Sequence, residues 1–222
     1  MMAYHWDFDP IWRSVGLLAT GGLATLKLTG ACLLLAIPAG LLVAILRLSD
    51  NRFLSGAALV YTELFRTAAS IVLIFWFFFA FPLLISIDLD AFWAALLAIG
   101  LQSGAYFAEV FRGAIVSVNR GQWEAARAIG MNRLTALRYV IMPQAVRRII
   151  PVLFTRTTLL LKTTTLASAI AYPDIVYTAF RVSSETYRPI ETFTVVGAIF
   201  FLTIFTFARL SGWVERRLIM PH

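Results

Sequence analysis

The sequence has little charge, one cysteine and two histidines. Of its 222 residues 14% are charged and 60% hydrophobic, whereas soluble domains are about 25% charged and about 45–50% apolar. The lone cysteine excludes an internal disulfide, and with His5 and His222 at the two ends no His/Cys/Asp/Glu group has metal-ligand spacing. A G-x-x-x-x-G-K-[ST] phosphate loop is also missing, so any ATP hydrolysis belongs to another chain. These absences disfavour a soluble domain, an ATPase and a membrane-embedded enzyme.

Long apolar runs are abundant, and they do not show the strict alternation of a membrane barrel. Crossing the hydrocarbon takes roughly 20 apolar residues in a helix. We therefore predict an all-α membrane protein with about five transmembrane helices, over residues 15–46, 53–87, 92–118, 149–172 and 193–213. Because no low-complexity linker or internal repeat is visible, residues 1–222 are predicted to form a single transmembrane domain.

The distribution of charge between the runs predicts the orientation. Nineteen Lys and Arg stand against twelve Asp and Glu, and the basic residues concentrate in the connections 47–52 and 119–148 and in the C-terminal tail. Since basic loops stay in the cytoplasm, we expect the N-terminus and the 172–191 loop outside and the C-terminus inside. The first apolar run follows acids rather than a basic segment and is too long for a signal-peptide core, so no cleaved signal is predicted.

One basic insert, residues 120–148, separates the third and fourth runs and holds six arginines and one acid. Good helix formers from Gln122 to Ile129 predict a short helix that ends at Gly130 in a left-handed cap. Asn132 can cap a second short helix, which we expect Pro143 to end. Periodicity alone leaves one alternative open, a basic amphipathic helix resting on the inner leaflet.

The insert also carries a spaced motif. Glu124-Ala125-Ala126 is followed by three residues and Gly130, and nine residues later by Val140-Ile141-Met142-Pro143. This resembles the E-A-A, G and I-x-L-P loop of the inner-membrane permeases of ATP-binding-cassette importers, with Val in place of Ile and Met in place of Leu. Residues 103–122 and 161–170 are similar to the polar amino acid branch of these permeases, so the resemblance covers nearly the whole chain.

The resemblance implies a fold, partners and a coupling site. The fold is that of a type I importer permease, located in the bacterial inner membrane, with a cytoplasmic coupling helix. The implied partners are two copies of an ATPase that carries ATP and Mg, a second permease (identical or homologous) and a periplasmic solute-binding protein; this chain itself carries no cofactor. The implied ATPase-coupling residues are Trp123, Glu124, Ala125, Ala126, Arg127 and Gly130.

The N-terminal stretch and the 172–191 loop, rich in Tyr, Trp and mixed charge, are where we expect the solute-binding protein to land. The alternative is that these aromatic residues only anchor the chain at the membrane interface.

Charged side chains at membrane depth cost about 2.5–3.5 kcal/mol on insertion scales, so each needs an explanation. Glu63 with Arg66, and Glu109 with Arg112, are spaced three residues apart and are predicted to form structural pairs. Arg156 has no acid within four residues. Its bidentate guanidinium suits a solute carboxylate, which predicts import of acidic or anionic amino acids; the alternative is a snorkelling side chain or an inter-subunit pair with Glu63 or Glu109.

The candidate solute-binding residues are Gln102, Arg156 and Thr163. In the permeases that this chain resembles, an acid often occupies the position of Thr163, and polar or acidic residues are common at that of Arg156. A further departure is "FRTAAS" at 65–70, which lacks the proline of the usual R-[GS]-[TI]-P. A rival function is a secondary transporter or channel without an ATPase partner, although the repeated halves typical of such folds are not found.

Overall fold

The computed structural model describes residues 4–218, and the side chains of all of these except 133, 134 and 214–218. Within this range the chain is helical and has no β-strand. The helices are α1 Asp9–Arg13, α2 Val15–Arg47, α3 Arg52–Thr67, α4 Ser70–Phe75, α5 Phe81–Ile85, α6 Ala91–Val116, α7 Arg120–Ala128, α8 Arg133–Ala136, α9 Met142–Thr164, α10 Ile175–Thr186 and α11 Pro189–Leu218. Wider π turns occupy Trp76–Ala80 and Leu137–Ile141, and a tighter 3₁₀ turn follows α9 at Thr165–Ile170.

Three helices in the described range are long and apolar enough to cross a membrane: Val15–Arg47, Ala91–Val116 and Pro189–Trp213. The pair Arg52–Thr67 and Ser70–Ile85 adds a fourth if it is counted as one span. These agree with the predicted first, third, fifth and second runs. The predicted fourth run is helical in α9. Because α9 begins at Met142 and includes Arg147 and Arg148, this helix is too basic to be counted among the candidate membrane spans.

The predicted second run is not one continuous helix. Ala68 and Ala69 take extended conformations, with ψ of 138° and 130°, and break the run within the segment that lacks the expected proline. A break leaves helical carbonyls without partners, and α6 provides them. The Gln102 amide donates to the carbonyls of Phe65 (3.2 Å) and Ala68 (2.9 Å). The break therefore depends on side chains from α6 rather than on a local proline.

The expected stop at Pro143 is absent. Helical turns continue from α8 through Leu137–Ile141 into α9, so the second helix of the insert merges with the next run. A proline inside a helix lacks its N–H and clashes with an earlier carbonyl. The π turn before Pro143 widens the helix where that clash would fall, and a π turn also precedes Pro82. This explains why neither proline ends its helix.

The chain folds as two compact units. The first comprises the residues up to Leu33, Ala69–Gly100 and Leu159–Thr206, and the second comprises Leu34–Ala68, Leu101–Thr158 and the residues from Phe207 onward. A single domain over 1–222 stays a prediction.

In the first unit, much of the predicted 172–191 loop is the helix α10. Its apolar side packs into a core with α1, the start of α2 and α11; the buried members are Ile11, Leu18, Ile175, Ala179, Val182 and Val196. Gly21 lets α10 approach closely, since a Cβ there would lie 1.9 Å from the Thr178 hydroxyl and 2.8 Å from the Asp174 carbonyl. The mixed polarity of the segment concealed this helix at the sequence level.

The N-terminal stretch is attached to the start of α11 in the same unit. The Tyr4 hydroxyl donates to the buried Glu191 carboxylate (2.5 Å), which also accepts from the Asp7 N–H (3.1 Å). Arg188 donates to the His5 carbonyl at 2.9 Å. The two segments expected to receive a binding protein therefore lie side by side, and they expose Tyr4, Trp6, Trp12, Phe180 and Tyr187.

Asp174 is fully buried at the start of α10, where its carboxylate caps the helix by accepting from the Tyr177 N–H at 2.8 Å. The second carboxylate oxygen has no hydrogen-bond partner among the described residues. Burial raises the pKa of Asp174 to about 6, although backbone N–H groups oppose the shift. Because an unfolded Asp has a pKa of about 3.9, the charged carboxylate destabilises the fold increasingly as pH rises from about 4 to about 6.

We predict that Asp174→Asn raises the melting temperature at pH 8, because asparagine still caps the helix while the buried charge is removed. The two pKa values set an upper limit of about 3 kcal/mol on the gain, and the gain should shrink to nothing near pH 4. Thermal unfolding in detergent at several pH values measures it. Asp90→Asn is the matched control, since Asp90 is an exposed capping residue bonded to the Trp93 N–H. A gain for Asp174→Asn that is the same at pH 4 and pH 8 would contradict this origin.

Candidate coupling and solute sites

The helix α7 ends at Gly130 as its sequence predicts, but it begins at Arg120, two residues before the predicted Gln122. Asn119 caps its first turn by accepting from the Gly121 N–H at 2.8 Å. At the other end Gly130 has φ of +82°, a left-handed conformation that glycine adopts without steric cost. The Gly130 N–H bonds to the Arg127 carbonyl (2.9 Å) and the Met131 N–H to the Ala126 carbonyl (3.0 Å), which together form a Schellman motif. Asn132 then caps the next helix through the Thr135 N–H, as predicted.

One side of α7 attaches it to the second unit. Trp123 packs against a buried cluster of Ile115, Val118, Ile141 and Ala145, and Ala126 is buried beneath the helix. The side chains of Gln144 and Gln122 are hydrogen-bonded at 3.2 Å. The apolar residues that precede and follow the insert thus fix one face of α7 to α6 and to the start of α9.

The opposite side of α7 and the turn after it are exposed, and half of their exposed residues are small. Glu124, Ala125, Arg127, Ala128, Ile129 and Gly130 are all exposed, and Ile129 has 73% of its surface accessible. Glu124 and Arg127 line a cavity of about 520 Å³ beside Trp123 and the end of α6. Of the three alanines in α7, Ala126 faces inward, whereas Ala125 and Ala128 face outward.

The intramembrane acids lie in ion pairs. Arg66 Nη1 is 3.6 Å from Glu63 Oε1, and Arg112 Nη2 is 2.8 Å from Glu109 Oε2, so both predicted pairs are confirmed. Arg47 adds a third cation at 3.0 Å from Glu109, close enough for charge attraction but without hydrogen-bond geometry. Within the described residues of this one chain neither acid pairs with Arg156, and the alternative of an inter-subunit pair stays a prediction.

Arg156 instead lies over an aromatic ring. Its guanidinium carbon is 5.1 Å from the ring centroid of Tyr106, a cation–π distance. The Tyr106 hydroxyl donates to the Arg66 carbonyl at 3.1 Å, which anchors the ring to the end of α3. Sequence reasoning missed Tyr106. The available signal was its spacing of four from Gln102 and three from Glu109, which places three polar side chains on one side of α6.

Gln102 and Thr163 make contacts with the backbone. Gln102 is only 3% exposed, and its amide is occupied by the carbonyls at the end of α3. The Thr163 hydroxyl donates to the Leu159 carbonyl of its own helix at 3.0 Å. The structure thus gives Gln102 a helix-capping role and brings Arg156 to Tyr106, while a solute-binding role for Thr163 stays a prediction.

Known proteins share this architecture and these segments. Residues 36–220 match the family described as binding-protein-dependent transport system inner membrane component. The octopine transport system permease protein of Rhizobium meliloti is 37% identical over 95% of this chain and 92% of its own length, and the glutamine transport system permease protein of Escherichia coli K12 is 29% identical over 96% and 98%. A crystal structure of an amino acid ABC transporter with histidines has a chain that superposes with a TM-score of 0.92, at 32% identity, covering 96% of this chain and 100% of that one.

The exposed short helix, the broken second run and the family match define the class: the chain belongs to the family of inner membrane components of binding-protein-dependent transport systems. The predicted type I importer permease fold is thereby confirmed. Membership implies a solute-binding protein and an ATPase as partners, with ATP hydrolysis on the separate ATPase subunit. In the described residues no group of His, Cys, Asp and Glu could hold a metal ion.

We predict that Gln102→Leu lowers the melting temperature, because it leaves the partly buried carbonyls of Phe65 and Ala68 without their donor. Each buried polar group left unsatisfied costs about 1–3 kcal/mol. Gln122→Leu is the matched control, since Gln122 is exposed on α7 and its replacement removes no buried contact. Equal melting temperatures for both variants and the unmodified protein would show that the α3 end does not need this cap.

Proposed function

We propose that the chain is the translocation subunit of an ATP-driven, binding-protein-dependent importer of polar amino acids, with a preference for anionic ones. The observation that carries the proposal is α7, a rigid short helix fixed on one side by Trp123 and exposed on the other. The relatives transport octopine, nopaline and glutamine by name, which supports an amino acid or an amino acid derivative as the solute.

In this proposal α7 lies in the cytoplasm and docks on the ATPase. The exposed alanines allow close approach, and Glu124 and Arg127 supply charge at the rim of the contact. Because Trp123 packs against Ile141 and Ala145 at the start of α9, a displacement of α7 is transmitted to the helix that carries Arg156. Two permeases and two ATPases complete the proposed assembly, with the N-terminus outside and the C-terminus in the cytoplasm.

Arg156 is the proposed partner of the solute carboxylate. It has an aromatic ring beneath it and no carboxylate within 4.0 Å among the described residues, so its charge is available. Gln102 contributes by holding the end of α3, and Thr163 is proposed to contact solute about two turns further along α9.

To test the coupling role, Ala125→Trp places a large side chain on the exposed face of α7. We expect the ATPase to be lost on purification and ATP-dependent uptake to fall at least tenfold, because burying a bulky ring in a tight contact costs more than about 1.4 kcal/mol. Ala57→Trp is the matched control, since Ala57 is exposed on α3. Unchanged co-purification and uptake for Ala125→Trp would refute docking through this face.

To test the solute role, Arg156→Gln removes the charge and keeps a polar side chain of similar length. Uptake of glutamate into vesicles that contain the assembled complex should fall about tenfold or more, since a hydrogen bond to a charged group is worth about 1.5–3 kcal/mol. The exposed Arg52→Gln at the start of α3 is the control. If the Arg156→Gln complex assembles and imports glutamate at the normal rate, Arg156 does not bind the solute.

A further inference from the structure

Two arginines meet at one aromatic ring. The guanidinium carbon of Arg156 is 5.1 Å from the ring centroid of Tyr106, and that of Arg66 is 6.0 Å from the same centroid. The two cations therefore lie no more than about 11 Å apart, the separation reached if they sat on opposite sides of the centroid. Arg66 lies at the end of α3, and Arg156 lies in α9 after Pro151. The helices α3 and α9 therefore bring their charges to the side of α6 that carries Tyr106.

The acids nearby do not neutralise this pair. Among the described residues Arg156 has no carboxylate within ion-pair distance, and Arg66 has only Glu63, through one contact of 3.6 Å. That contact is longer than the 2.7–2.9 Å of a charge-assisted hydrogen bond, and the Glu63 side chain is about half exposed. Glu109 is paired with Arg112 and Arg47, and its charge acts on Arg66 only from beyond ion-pair distance.

Arg66 also retains an unused donor. Its Nε is buried and has no acceptor in the described part of the chain. A buried donor without a partner destabilises the structure, and more so when it carries a charge. Two undercompensated cations at this separation also repel each other. An anion between them would relieve both penalties.

We propose that Arg66 and Arg156 together bind a solute that carries two carboxylates, with the Tyr106 ring as the floor of the site. This inference rests on the proposed function and extends it to the solute class: amino dicarboxylates and amino acid conjugates that bear a second carboxylate. One carboxylate satisfies Arg156 and the other the Nε edge of Arg66. Since Glu63 offsets part of the Arg66 charge, Arg156 contributes the larger share of the preference.

Tyr106 is a positioning residue in this arrangement. Its hydroxyl bonds to the Arg66 carbonyl, which sets the ring against the end of α3, and its face receives the Arg156 guanidinium. Phenylalanine would keep the ring and lose the anchor, whereas leucine would lose both.

Matched pairs of solutes test the proposal through direct binding. Octopine is arginine with an added carboxyethyl group, and glutamate is glutamine with an acid in place of the amide. Competition against labelled octopine, on the purified permease with its co-purifying ATPase and without the binding protein, measures preference at the permease itself. We expect octopine to bind at least about tenfold more tightly than arginine, and glutamate than glutamine.

The variants then assign the preference. Arg156→Gln should reduce both ratios to less than about twofold, Arg66→Gln should reduce them by a smaller factor, and Tyr106→Leu should lower them more than Tyr106→Phe. Arg181→Gln is the control and should leave both ratios unchanged. If Arg66→Gln does not assemble, Arg66→Lys keeps the charge without the planar fork and should still lower the ratios.

Equal binding of octopine and arginine by the unmodified protein overturns the inference, as does an Arg156→Gln variant that retains the full preference. In either case ATP-dependent uptake of any amino acid by the same complex leaves the proposed function intact. If no amino acid is taken up in an ATP-dependent manner, the proposed function fails and the inference fails with it.

Discussion

The second unit depends on one constraint, which is that polar groups at membrane depth must find partners inside the protein. The helix α6 meets this constraint with polar side chains on one side. Gln102 bonds to the carbonyls at the end of α3, Tyr106 bonds to the Arg66 carbonyl between them and lies beneath Arg156, and Glu109 holds Arg112 and Arg47. Without these residues α3 could not end where it does, and the cations on α2, α3 and α9 would lack their contacts.

This arrangement explains how the break between α3 and α4 forms without proline. A proline breaks a helix by removing a donor, which acts within the segment itself. Ala68 and Ala69 keep their backbone N–H groups, so they do not break the helix in this way. The carbonyls at the break accept hydrogen bonds from Gln102 and Tyr106, which lie 34 to 40 residues away in sequence. The same local geometry is therefore reached through a tertiary contact, and substitutions in α6 should affect the break as strongly as substitutions in the break itself.

The sequence predicted the parts of the fold that local chemistry determines. The helix formers and Gly130 predicted α7 without reference to the Asn119 cap. The acids and bases spaced three residues apart were predicted as ion pairs from their spacing alone. Features that arise from tertiary contact were not predictable in the same way. The π turn that carries the helix through Pro143, the helix α10 inside an apparently mixed loop, and the position of Tyr106 beneath Arg156 all depend on which segments pack together. In the candidate site, the contact of Arg156 with the Tyr106 ring and the bonds from the Gln102 amide to backbone carbonyls could not be read from the sequence, and solute binding by either residue stays a prediction.

Charge balance also bears on why a permease would retain so many intramembrane arginines. In the second unit Glu63 and Glu109 are set against Arg47, Arg66, Arg112 and Arg156, so within this group cations outnumber acids by two. A purely structural network would gain stability by matching them, since an uncompensated charge at this depth costs several kcal/mol. A transport path that must attract an anion and then release it benefits from an excess of cations. Their positive charge is then held by weak contacts with an aromatic ring and is fully compensated only while the solute is bound. Trp123 attaches α7 to the start of the helix that carries Arg156. In the proposed function, movement of the exposed face of α7 would therefore alter the contact between Arg156 and the Tyr106 ring.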